Sequence, residues 1–134
     1  MIDKQNEVFS NVANIVRDTH TGTTVSGENI RRPSKFPAVT IDEIENVMVD
    51  RLEDSSNEET FAGVTYKVQT FSNKTSGKKA EARAIFATVD AEMRRMGFRR
   101  KTYTTTPEIY ESTIYCITAT YEAVVSAVGY VYKR

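Results

Sequence analysis

The chain has 134 residues, 40% of them hydrophobic, and its 18 basic and 18 acidic side chains leave a net charge of zero. That length suits a single domain able to bury a core; whole-chain disorder is excluded, and no apolar run reaches the ~20 residues of a membrane helix. One cysteine (Cys116) excludes an internal disulfide and one histidine (His20) leaves no second imidazole for a metal pair.

Residues 3–19 (DKQNEVFSNVANIVRDT) place Val8, Val12, Ile15 and Val16 on one helical stripe, with Phe9 beside it and Asp3 able to cap its start. Residues 20–35 are rich in Gly, Ser and Thr and read as an extended loop or arm. FPAVTIDEIEN alternates, Val39, Ile41 and Glu43 pointing one way and Thr40, Asp42 and Ile44 the other. Pro37 suits the first position of such a strand, although Ile41, Ile44 and Met48 also fit helical spacing. Residues 50–60 are polar and charged enough for a mobile surface loop. GVTYKVQTFS then alternates as a half-buried strand, with Val64, Tyr66 and Val68 on one face.

The helix over 78–96 has the clearest pattern: Ala82, Ile85, Phe86, Val89, Met93 and Met96 recur at i, i+3, i+4 and i+7. Gly97 stands where a helix ends in a left-handed residue, and Phe98 can pack back on the last turn. FRRKTYTTT and STIYCITATYEAVV are two more strands, joined by the turn-prone PEIYE. On the second, Tyr115, Ile117, Ala119, Tyr121 and Ala123 oppose Ile114, Cys116, Thr118, Thr120 and Glu122. GYVYKR closes the chain as a short strand. The expected fold is one α+β domain over residues 1–134, with two helices against one face of a mostly antiparallel sheet of four to five strands.

The start MIDKQNEVFS lacks the apolar stretch of a signal peptide, so the expected compartment is the cytoplasm. Cys116 lies in an apolar stretch and reads as a buried thiol. Ser-Gly-Lys-Lys before the second helix invites a phosphate-loop reading, but the spacing fails. The first glycine is absent and Lys79, not Ser or Thr, follows Lys78. Ser76 or Thr75 is the expected helix cap there. His20, the lone imidazole, lies in a glycine-flanked loop and reads as solvated, with no base beside a nucleophile. The acids of 42–59 follow no calcium-loop order. No enzyme activity, cofactor or metal is expected.

Charge is unevenly spread. Residues 42–59 hold eight acids against Arg51, whereas residues 74–101 hold nine bases against three acids and end in RRMGFRRK. Such polarity suits either a nucleic-acid patch, with Tyr103, Tyr115 or Tyr121 stacking bases, or copies of the chain meeting acidic face to basic face.

The order of several motifs resembles a known family: Phe36-Pro37 opening a strand, a strand ending Phe71-Ser72-Asn73-Lys74, a helix ending Met96-Gly97-Phe98, and Ala119-Thr120-Tyr121-Glu122 on the last long strand. In that order and spacing, over residues 36–134, the chain is similar to tail-terminator (tail completion, head–tail joining) proteins of long-tailed phages and prophages. The resemblance implies an α+β subunit of a ring, hexameric in that family, that ends polymerisation of the tail tube. The implied partners are other copies of the chain, the tube protein and the head–tail connector or stopper, with DNA passing through without sequence-specific binding. The implied location is the virion tail. Arg94, Arg95, Arg99 and Arg100 are candidates to meet acids of the neighbouring subunit, drawn from Asp50, Glu53, Asp54, Glu58 and Glu59. Loops 20–35 and 50–60 are candidates to order on partner contact. Another neck component, or a small nucleic-acid-binding domain, is the alternative.

Overall fold

The computed structural model describes residues 2–27, 33, 35–48, 61–107, 114–126 and 131–132. The elements run α1 (Gln5–Thr19), β1 (Thr24–Ser26), β2 (Ala38–Met48), β3 (Phe61–Ser72), α2 (Lys78–Arg95), β4 (Arg99–Pro107), β5 (Tyr115–Ser126) and β6 (Val131–Tyr132). The strands form one sheet in the order β1-β2-β3-β5-β4, with β6 also on β5; every pairing is antiparallel except β1 with β2. This is the α+β architecture expected, its four long strands supplemented by two short ones.

Side-chain alternation decides which face the helices cover. Val64, Tyr66 and Val68 on β3 lie opposite Ala123, Tyr121 and Ala119 on β5, and Ile41 of β2 lies opposite Val68. All are buried in one core with Val8, Val12 and Val16 of α1 and Ala82, Ile85, Phe86, Val89 and Met93 of α2. The other sheet face carries no helix among the described residues and is polar, with Thr102 and Thr120 sharing a hydrogen bond across strands. One end of that face holds a small second cluster of Ala38, Phe71, Ile114 and the buried Cys116, with Phe36 against it.

Helix ends follow the local chemistry, with one correction. Asp3 accepts the Gln5 backbone N–H at 2.9 Å. Gly97 is left-handed (φ 99°); its amide and that of Phe98 donate to the carbonyls of Arg94 and Met93, each at 2.9 Å, turning buried Phe98 edge-on against Tyr66. At the start of α2, neither Thr75 nor Ser76 is the cap. Gly77 takes that place at φ 85° without a side-chain cap. The first turn is tied instead by buried Ser72 at the end of β3, whose hydroxyl donates to Glu81 at 2.7 Å.

Two further readings are sharpened. His20 is half-buried rather than free in solvent: its ring Nε2 lies 2.8 Å from the Thr88 hydroxyl, joining the end of α1 to α2. The arm of 20–35 contains β1, which pairs in parallel with Ala38–Thr40. Among the described residues no helix is long and apolar enough to cross a membrane.

Candidate functional site

The arginine-rich turn between α2 and β4 is built around one carboxylate. Asp90 accepts the Tyr121 hydroxyl at 2.6 Å, Arg94 Nε at 3.2 Å and Arg100 Nη1 at 3.4 Å. Tyr121 is fully buried; burial, then the bond to Asp90, holds its hydroxyl far above the ordinary tyrosine range. Arg95 grips Glu92 one turn away, its Nε 3.0 Å from both carboxylate oxygens and its Nη2 also on Oε1. Arg94, Arg95 and Arg100 therefore meet acids of their own chain. Their guanidinium groups remain at the surface, the side chains of Arg94 and Arg95 being 61% and 63% exposed. Arg99 is exposed on β4, opposite Glu122 of β5. The turn gathers Arg94, Arg95, Arg99, Arg100 and Lys101 against Asp90 and Glu92, so a positive field persists. The carboxylates are largely buried, but the exposed guanidinium ends leave positive charge open to a partner.

The proposed acidic counterparts, Asp50, Glu53, Asp54, Glu58 and Glu59, lie outside the described residues. The start of the same acidic run, Asp42, Glu43 and Glu45, is on β2. Strands β3 and β5 separate it from β4, so acid-rich and base-rich strands lie toward opposite sides of the sheet. β1 covers only Ala38–Thr40, leaving residues 41–48 of β2 without a strand on that side among the described residues. There a bulge falls at Ile44, and Ile44, Val47 and Met48 are each about half exposed. The nucleic-acid reading fares unevenly. Tyr121 is buried on Asp90 and Tyr115 is half-buried, while exposed Tyr103 packs edge-on against Phe86 with Arg100 over its ring.

Sequence reasoning did not single out a cleft of about 500 Å³ between the start of α1, β1, β2 and β3. Phe9, Val25 and Ile41 form its apolar walls, and Gln5, Glu43 and Tyr66 are among its polar lining. Gln5 Nε2 donates to Glu43 Oε2 at 3.0 Å and Asn46 Nδ2 to Oε1 at 3.4 Å. Burial raises the Glu43 carboxyl above the usual range, and nearby Asp3 and Asp42 add to the shift against the Asn46 bond. Tyr66 is 1% exposed, and its hydroxyl interacts electrostatically with the Glu43 carboxylate but meets no partner in hydrogen-bonding geometry among the described residues. Burial, then the Glu43 charge, pushes that phenol far above its ordinary value. The signal was present in the alternation, which puts Glu43 on the same face as core residues Val39 and Ile41. An acid in a core register asks for a structural reason.

Comparison of the sequence with protein-family models and with curated proteins returns no match.

Proposed function

We propose that the chain is a structural subunit that closes into a ring, a hexamer by its resemblance to tail terminators, on the end of a completed phage tail tube. The ring ends tube polymerisation and offers the surface to which the head connector or stopper attaches. DNA passes through it without sequence-specific contacts, and the protein resides in the virion tail. The observation that carries this reading is the inequality of the two sides of the sheet. A closed ring uses heterologous contacts, so each subunit needs two different, complementary surfaces. On one side β2 offers Ile44, Val47 and Met48, half exposed beside Glu45; on the other, β4 offers an exposed basic strand. Apolar anchors supply most of an interface's affinity, while rim charges set register and encounter.

The test is assembly. Purified protein viewed by electron microscopy and sized by sedimentation is expected to give rings with a central hole. The double variant Val47→Glu, Met48→Glu is expected to remain folded by circular dichroism and to sediment as a monomer. A ring of unchanged size from that variant overturns the assigned surface, and discrete non-ring oligomers from the native chain overturn the function. Reversing Arg94 or Arg100 is a poorer probe, because both hold Asp90 within their own subunit.

A further inference from the structure

Four observations at the cleft converge on the chemistry of a missing group. The first is an imbalance of hydrogen bonding. The Tyr66 hydroxyl lies at the wall of the cleft, 1% exposed, with no partner among the described residues. A buried hydroxyl left unpaired costs about 1–3 kcal/mol, so such a group marks a place where something else can bind. The second is the sign of the field. Glu43 lines the cleft, and Asp3 and Asp42 are further negative charges that bear on it, the charge of Glu7 being offset by Lys4. The neighbouring base, Lys4, is held by Glu7 at 2.6 Å. An anion is repelled here and a cation is drawn in.

The third is the balance of donors and acceptors. Gln5 and Asn46 each give one amide N–H to Glu43, and among the described polar lining, which also includes Asn6 and Ser26, the Glu43 carboxylate is the one charged acceptor. A ligand that brings N–H donors matches that carboxylate. The fourth is the shape and lining. Phe9, Val25 and Ile41 make an apolar flank, the Phe9 ring standing 3.6 Å from where a side chain at Gly27 would begin. An alkyl stem fits along such a flank while its charged head reaches the polar end, and a ring face adds cation–π attraction. The volume of about 500 Å³ falls within the range of small-ligand sites.

We infer that this cleft is a binding site for an alkyl-chain cation, a guanidinium or primary ammonium group, whose head is held between the Glu43 carboxylate and the Tyr66 hydroxyl and whose stem lies on Phe9, Val25 and Ile41. The group is either a free organic cation or the arginine or lysine side chain of another copy. The site does not depend on the ring assignment.

The probes are butylguanidinium and butylammonium, with butyrate as the matched anion, titrated into the full chain while the backbone amides of Gln5, Asn6 and Gly27 are followed by NMR. Saturable shifts of these amides with the cations, and none with butyrate, are expected. Glu43→Gln is expected to weaken binding at least about tenfold, as loss of a charge-assisted bond does, and Tyr66→Phe about three- to tenfold. Tyr66→Phe removes only an unpartnered hydroxyl, so it keeps the test open if Glu43→Gln unfolds. No saturable shift, equal shifts with butyrate, or native affinity in both variants overturns the site. Sedimentation with and without butylguanidinium separates the two sources. Dissociation of assembled protein assigns the group to a neighbouring copy; binding without change in size assigns it to a free cation.

Discussion

Tyr66 and Tyr121 stand directly opposite one another on β3 and β5, and both are essentially removed from solvent. Each arrives there by the same rule, an aromatic side chain on the core-facing register of a central strand. Their hydroxyls meet different fates. That of Tyr121 reaches Asp90 at 2.6 Å and joins a carboxylate also held by Arg94 and Arg100, whereas that of Tyr66 finds no such bond and lies beside a cleft walled by Glu43. The β4 side of the sheet uses its tyrosine to tie α2, β4 and β5 together. The other leaves a polar group in waiting. A satisfied buried network contributes to the fold, and an unsatisfied one costs stability while offering recognition.

The contrast can be broken most forcefully at Asp90. Asp90→Ala strands the buried Tyr121 hydroxyl and frees two arginines, and a loss of about 3 kcal/mol in urea unfolding is expected. Tyr121→Phe removes one charge-assisted bond and leaves Asp90 its two arginines, so about 2 kcal/mol is expected by the same measurement. Glu43 supplies a pH-dependent step. Its folded-state pKa is raised, so the folded protein holds that proton more tightly than the unfolded chain. Above the raised pKa the ionised, partly buried carboxylate penalises folding, and the penalty is relieved as pH falls through it toward the unfolded value. The native protein should therefore gain stability relative to Glu43→Gln as pH drops from 7 to 4, measured by thermal unfolding of both across that range. A difference independent of pH would place Glu43 in an environment no drier than water. Tyr66→Phe is expected to lose nothing and to gain up to about 1–3 kcal/mol, since no bond is lost and a stranded hydroxyl is removed. A loss like that of Tyr121→Phe would mean that the two tyrosines are equivalent after all.

How much of this was legible beforehand varies with how local its cause is. The stripe on α2, the left-handed Gly97 and the facing of β3 and β5 are set by residues a few positions apart, and each was readable. The cap of α2 was misread because two good capping residues, Thr75 and Ser76, precede it; the chain turns through Gly77 instead and recruits Ser72 from the strand to hold Glu81. β1 escaped notice because three residues in a Gly- and Ser-rich arm carry no periodicity; its pairing to β2 is a long-range contact. The arginines stand close together in the sequence, but their pairing with Asp90 and Glu92 is a matter of side-chain placement that the sequence does not show. The acids proposed to face them lie in a segment outside the described residues. The cleft went unseen because its walls come from four elements.

The sequence by itself determined the alternation along β3 and β5, the apolar stripe of α2, and the unequal distribution of charge along the chain. These depend on period and propensity, which act between near neighbours. Only the tertiary structure decided that His20 bonds Thr88, that Arg94, Arg95 and Arg100 hold acids of their own chain, and that of two buried tyrosines one is satisfied and the other is not. Those outcomes turn on a few ångströms between side chains as much as 68 positions apart, and no local pattern encodes them.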